Sequence, residues 1–237
     1  MQESLAHLKP KSIIIRYQEL LDVIDKFIKE KRKELVITLN TEMFVDSMND
    51  KEFNQIINQS VVFLESIGIC HLFYKKTGTK VEPINGIDLA EKLIEKGYRT
   101  FILGTKDDIV CRAVDNLRKK YRDANIVGFY HGYFEDEDKV IDYVNNLGVE
   151  LLLVGMGSPK QEKWVYRNKE RLNFGVAMGI GGSIDVWAGV VKRAPVFIRK
   201  IKMEWLYRLL TDFRRIKRAG KLLKFIMMNI SGRFSNG

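Results

Sequence analysis

Cysteine, histidine and proline are scarce in this 237-residue chain, with two, three and four residues respectively. Each scarcity excludes something. Cys70 and Cys111 lie far apart with no ligand-like spacing, so they read as small buried hydrophobes rather than a redox or metal pair. His7, His71 and His131 are scattered too, and nothing here has the spacing of a zinc site. Four prolines and no Ser/Gly tract argue against a long flexible linker. No internal repeat is present. No apolar run approaches the roughly 18 residues needed to span a bilayer. The segment Met1 to Lys11 lacks the apolar stretch of a secretory leader. The chain is therefore expected in the cytoplasm, or resting on a membrane without crossing it.

What is present is a core and an uneven charge. Hydrophobic residues make up 46% of the chain, enough for a globular core. The net charge of +10 is concentrated at one end. From Lys192 onward, thirteen Lys/Arg stand against Glu204 and Asp212 alone, a net +11, and residues 1–191 carry −1. A nearly neutral body with a basic tail points to a polyanion: phosphate, nucleic acid or an anionic membrane.

Periodicity orders the elements. Helical spacing marks Tyr17–Lys31, Glu42–Met48, Lys51–Asn58, Gly86–Lys96, Asp107–Tyr121 and Glu135–Asn146, and a helix running from the turn at Pro159 to about Arg171. Short apolar runs at Glu34–Leu39, Val61–Leu64, Arg99–Leu103, Asn125–Phe129, Val149–Val154 and Phe174–Met178 read as strands. Strands alternating with helices predict an α/β fold, a parallel sheet covered by helices on both faces. From Pro195 no strand follows, and Met203–Ile230 has helical spacing with basic residues interleaved. The expected organisation is an α/β body over 1–194 and a basic amphipathic helical appendage over 195–237.

In such sheets, ligands bind beyond the carboxyl ends of the strands. Four strand ends carry suggestive residues: Thr38-Leu-Asn40, Glu65-Ser-Ile-Gly68, Gly155-Met-Gly-Ser-Pro-Lys-Gln-Glu162 and Gly179-Ile-Gly-Gly-Ser-Ile-Asp185. In the third, Gly155 and Gly157 allow close backbone approach, and Pro159 suits a first helical turn. Exposed N–H groups there can hold an anion or a carbonyl, and Lys160, Gln161 and Glu162 add a cation, an amide and a carboxylate. The spacing matches neither a Walker loop nor Gly-x-Gly-x-x-Gly; a plain strand–helix turn is the competing reading. Gly181 and Gly182 again admit a ligand close to the backbone, and Asp185 can bond a sugar hydroxyl or simply face the dipole of a helix N-terminus. Gly104 ends a further strand and joins these glycines as a candidate ligand-binding position. Asp136-Glu-Asp138 superficially matches a metal-binding Asp-x-Asp, but acids that open a helix are stabilised by its dipole, and this is the preferred reading.

On the tail, Arg208, Arg215 and Arg218 fall at i, i+7 and i+10, one face of a helix. Arginine suits bidentate phosphate binding. An enzyme that cleaves a diphosphate ester without metal can neutralise its leaving group with such a cluster. A solvated basic face is the alternative.

Together these pieces resemble the WecG/TagA/CpsF glycosyltransferases, bacterial enzymes of cell-surface polysaccharide synthesis. The resemblance covers about residues 13–218 and rests on Gly157-Ser-Pro-Lys-Gln-Glu162, Gly181-Gly-Ser-Ile-Asp185 with Ala188-Gly189, Lys192-Arg-Ala-Pro195 and Glu204-Trp-Leu-Tyr-Arg208. Thr38-Leu-Asn40, Asn85-Gly-Ile-Asp88 and His131-Gly-Tyr-Phe134 add weaker support. It implies a Rossmann-like fold and an inverting, metal-independent transfer without cofactor. N-acetylmannosamine would pass from a UDP donor to an undecaprenyl-diphosphate-linked sugar at the inner face of the membrane. The appendage would dock on an anionic membrane surface and bring Arg208, Arg215 and Arg218 to the donor diphosphate, and Arg193 would bind the donor too. Thr38 and Asn40 would line the acceptor pocket. The family's usual aspartate, in Asp-Gly/Ser-x-Gly, is replaced here: the motif reads Glu65-Ser-Ile-Gly68, with Glu65 keeping the carboxylate, and an ungapped alignment puts Ser66 at that place. Glu65 is expected at the reaction centre. UDP-glucose, UDP-galactose or a UDP-uronic acid as donor, or a catalytically impaired donor-binding partner, are the alternatives. No nucleic-acid motif is present, and homo-oligomers are compatible with the sequence.

Overall fold

Hydrophobic periodicity becomes layers in the computed structural model, which describes residues 5–195, 197–198 and 216–230. Seven parallel strands form one sheet: β1 (Ser12–Ile14), β2 (Glu34–Leu39), β3 (Val61–Leu64), β4 (Thr100–Gly104), β5 (Ile126–Tyr130), β6 (Leu151–Gly155) and β7 (Val176–Gly179). Their spatial order is β1-β3-β2-β7-β6-β4-β5. The helices are α1 (Tyr17–Lys29), α2 (Thr41–Ser47), α3 (Lys51–Asn58), α4 (Ile67–Thr77), α5 (Gly86–Glu95), α6 (Asp107–Lys120), α7 (Glu137–Asn146), α8 (Lys160–Arg167), α9 (Ser183–Trp187) and α10 (Ile216–Ile230). This is the expected Rossmann-like α/β architecture.

The central strands are apolar because both faces are covered. Leu35, Ile37 and Leu39 of β2 face one core with α2, α3, α4, α7 and α8, whereas Val36 faces the other with α1, α5, α6 and α9. Steps toward the β5 edge run over the α1, α5 and α6 face, and steps back run over the other. A single crossover hand requires that division. One consequence positions the site. β2 and β6 send α2 and α8 to one face, while β7 between them sends α9 to the other. The chain therefore parts at the carboxyl end of β7 and leaves a crevice there.

Several expectations needed revision. The sequence reading missed β1 and α4: β1 is only three residues long, and α4 is too evenly apolar to show a clean period. α8 stops at Arg167 rather than Arg171, with Asn168 closing its last turn on the Trp164 carbonyl. Cys70 is buried as expected, but Cys111 is exposed, on the outer side of α6. Asp136 opens α7, its Oδ1 accepting the Lys139 N–H at 3.0 Å, so the Asp-x-Asp match is a helix cap. Of the appendage, Ile216–Ile230 is helical as expected. Phe225, 2% exposed, meets Phe44 edge to face at 5.8 Å, and Lys221 pairs with Asp46 of α2 at 2.7 Å. No helix among the described residues is long and apolar enough to cross a membrane.

Candidate active site

Asn40 follows β2 and caps α2. Its Oδ1 accepts the Met43 N–H at 3.0 Å, which turns the amide nitrogen toward Glu65. Glu65 follows β3, and its own N–H extends the strand pairing to the Leu39 carbonyl at 2.9 Å. Its Oε2 accepts from Asn40 Nδ2 at 3.3 Å and its Oε1 from the Gly86 N–H at 3.0 Å. The Gly86 donor is one of the N–H groups that a helix start leaves without an intrahelical partner. Glu65 is thus a half-buried carboxylate with both oxygens oriented. Thr38, 8% exposed, lies beneath Gly86, and a Cβ there would come within 3.1 Å of the Thr38 methyl. Ser66 shares a 2.8 Å hydrogen bond with Thr41. Of the two residues that the motif leaves open, Glu65 offers a carboxylate oriented by Asn40 and Gly86, and Ser66 is bonded to Thr41 of α2.

The opposite wall is built from backbone. Gly104 and Gly155 lie side by side in β4 and β6, where a Cβ on Gly104 would strike the Gly155 carbonyl. Gly155 in turn is closed off by Ile184 and the Gly181 carbonyl. These two glycines serve packing. Gly157 (φ +81°) and Gly181 (φ +47°) differ: both are left-handed, and a Cβ at either would meet nothing within 4 Å. They border open space. Pro159 follows a cis Ser158–Pro159 bond and precedes α8, with Lys160 exposed at its first position. Gly182 is the residue before α9.

Gln161 and Glu162 are both buried, which the polarity of the motif concealed. Gln161 Oε1 accepts the Gly181 N–H at 3.1 Å, and its Nε2 donates to Glu162 Oε1 at 2.7 Å. Glu162 Oε2 is buried without a hydrogen bond of good geometry, the Ser158 hydroxyl being the neighbouring polar group. Burial pushes the Glu162 carboxyl above its usual range. Glu162 therefore reaches the crevice only through Gln161, which ties the loop after β6 to the loop after β7. Asp185 accepts from Thr105 at 3.3 Å and ties β7 to β4 in the same way.

Arg193 lies at the start of α5, its Nη2 2.7 Å from Asp88 Oδ1 in an ion pair that lacks the alignment of a hydrogen bond. Arg208 and Arg215 fall outside the described residues, as does the side chain of Arg218 on α10. The sequence reading missed the Gly86 N–H and the Asp88 carboxylate as site groups; Asn85-Gly-Ile-Asp88 was their signal. His131 is a loop residue stacked on Tyr130 at 4.6 Å between centroids, its Nδ1 accepting the Tyr133 N–H at 3.3 Å. Among the described residues no group of three His, Cys, Asp or Glu is placed to hold a metal ion.

An oriented carboxylate at the carboxyl rim of a parallel sheet, with open left-handed glycine loops on the same rim, describes an α/β enzyme of group transfer. The chain belongs to the glycosyl transferase WecG/TagA/CpsF family, whose profile matches residues 12–236, and it is a glycosyltransferase. Relatives from Staphylococcus aureus strains NCTC 8325 / PS 47 and COL are 31% identical over 197 residues, covering 81% of this chain and 77% of theirs. A relative from strain MRSA252 is 30% identical over the same span. All three are named N-acetylglucosaminyldiphosphoundecaprenol N-acetyl-beta-D-mannosaminyltransferase.

Proposed function

We propose that this enzyme transfers N-acetylmannosamine from UDP to N-acetylglucosamine carried on undecaprenyl diphosphate, with inversion and without metal. The observation that carries the reading is Glu65, held by Asn40 and the Gly86 N–H at the carboxyl rim of the sheet. The acceptor hydroxyl gives its proton to Glu65 as its oxygen bonds the anomeric carbon. The bond from that carbon to the UDP oxygen breaks on the opposite face, and its electron pair leaves on the diphosphate. The open backbone at Gly157 and Gly181 borders the leaving group, with Lys160 at the α8 start beside it. Arg193, Arg208, Arg215 and Arg218 neutralise its charge. Transfer takes place at the inner face of the membrane, with the protein peripheral. α10 carries Leu223, Ile226 and Met227 exposed, and the basic tail adds attraction to anionic lipid.

The test is incubation with a lipid-diphosphate-GlcNAc analogue and a panel of UDP-sugars, read by mass spectrometry with and without chelator. One added N-acetylhexosamine from UDP-N-acetylmannosamine, unaffected by chelator, is expected. Transfer from UDP-glucose, UDP-galactose or a UDP-uronic acid instead would overturn the sugar assignment and keep the reaction. UDP binding without turnover on any donor would make the protein a binding partner.

A further inference from the structure

Asn85-Gly-Ile-Asp88 supplies more than the Gly86 N–H. Asn85 caps α5, its Oδ1 accepting the Ile87 N–H at 3.2 Å, and so fixes where the helix begins. Gly86 then bonds Glu65, and later in the same first turn Asp88 Oδ1 stands 2.7 Å from Arg193 Nη2. The Asp88 side chain is about half exposed, that of Arg193 only 17%. Packing delivers Arg193 to this place. At the end of α9, Trp187 Nε1 donates to Glu91 of α5 at 3.0 Å, and the Trp187 carbonyl accepts from Asn116 of α6 at 2.8 Å. Ala194, beside Arg193, is buried. One helix start therefore holds both the carboxylate at the end of β3 and an arginine from the segment that follows β7.

We infer that Asp88 is a positioning residue whose charge holds the Arg193 guanidinium in the place where it meets the donor diphosphate. This rests on the function proposed above. An arginine side chain has much rotamer freedom to lose, and a carboxylate at one of its nitrogens removes that freedom before the donor arrives. Asp88 in the first turn of α5 is itself stabilised by the helix dipole, so the arrangement stands without ligand. The same α5 start orients Glu65, so a shift of the helix would misplace acid–base and phosphate contacts together. A merely structural pair would instead hold the chain after α9 against α5, with no bearing on donor binding.

A double-mutant cycle separates the two roles. Wild type, Asp88→Asn, Arg193→Ala and the double variant are compared for donor KM, acceptor KM, kcat and UDP affinity by calorimetry. Asp88→Glu is the conservative rescue, and Glu95→Gln, in the exposed Lys92–Glu95 pair on the same helix, is the control. Each single variant is expected to raise donor KM and weaken UDP binding about tenfold, the double no more than Arg193→Ala alone, with acceptor KM unchanged. Asp88→Glu should recover most of the loss and Glu95→Gln should match wild type. An unchanged donor KM and UDP affinity in Asp88→Asn, or single effects that multiply in the double, overturns the inference. A lowered melting temperature with intact UDP affinity also overturns it, in favour of the structural pair. If wild type binds UDP but transfers no sugar, the functional reading fails while the UDP cycle still decides the role of Asp88. If wild type binds no UDP, both fail.

Discussion

The two walls of the crevice use different materials. On the β2–β3 wall, side chains face the opening: Asn40 and Glu65, with Gly86 supplying an N–H from α5. On the β6–β7 wall, the polar side chains Gln161 and Glu162 turn inward and brace the glycine loops, leaving left-handed backbone at Gly157 and Gly181 to face the space. A proton acceptor needs a side chain of the right pKa at one point. An extended diphosphate is met equally well by backbone donors, provided nothing bulky stands between. The contrast makes each wall sensitive to a different kind of substitution.

The largest expected effect is on the first wall. Glu65→Ala should lower transfer by about 10²–10⁴-fold, the usual contribution of a general base, with UDP affinity near wild type. Steady-state kinetics beside calorimetry checks this, and unchanged turnover would put the base elsewhere. Glu65→Asp sharpens the point, because withdrawing the carboxylate by roughly 1 Å from the Gly86 N–H should cost about a hundredfold. A gain of activity would mean that the shorter acid is preferred.

Gly179→Ala tests the second wall. The added methyl would strike Gln161 Nε2 and Glu162 Oε1, both packed in place. Overpacking of this kind costs about 1–3 kcal/mol. The expected result is a lower melting temperature together with weaker UDP binding. Full UDP affinity in a destabilised variant would separate the Gln161 brace from the donor loops.

Glu162→Gln has the smallest effect and the opposite sign. Burial raises the Glu162 carboxyl above its unfolded value, so the folded state favours its protonated form. The contribution is present below the unfolded pKa and is lost as pH rises through the folded one. The neutral amide removes that loss. Stability should rise at neutral pH and should match wild type in acid. Chemical denaturation at two pH values reads it. A variant less stable than wild type at neutral pH would mean that the carboxylate is charged and well partnered there.

The alternation of apolar runs and helical periods made the parallel α/β sheet legible, because strands buried on both faces must be apolar throughout and their helices amphipathic. Val149–Val154 and Lys51–Asn58 show this directly. Strand ends likewise pointed to the loops that carry Asn40, Glu65, Gly157 and Gly181. β1 was not legible, since three residues at a sheet edge carry too little pattern. Cys111 shows the same limit: exposure on a helix depends on which face the sheet covers.

The sequence by itself determined most of the elements, their parallel pairing and the charge of the tail, since each follows from local spacing and composition. Tertiary structure alone decided which glycines are open and which are filled by a neighbouring strand. It alone turned Gln161 and Glu162 inward and brought Arg193 to Asp88. Those outcomes depend on strand order β1-β3-β2-β7-β6-β4-β5, which places segments distant in sequence at one rim. Strand order is set by how whole faces pack against one another, and no local window of residues contains that information.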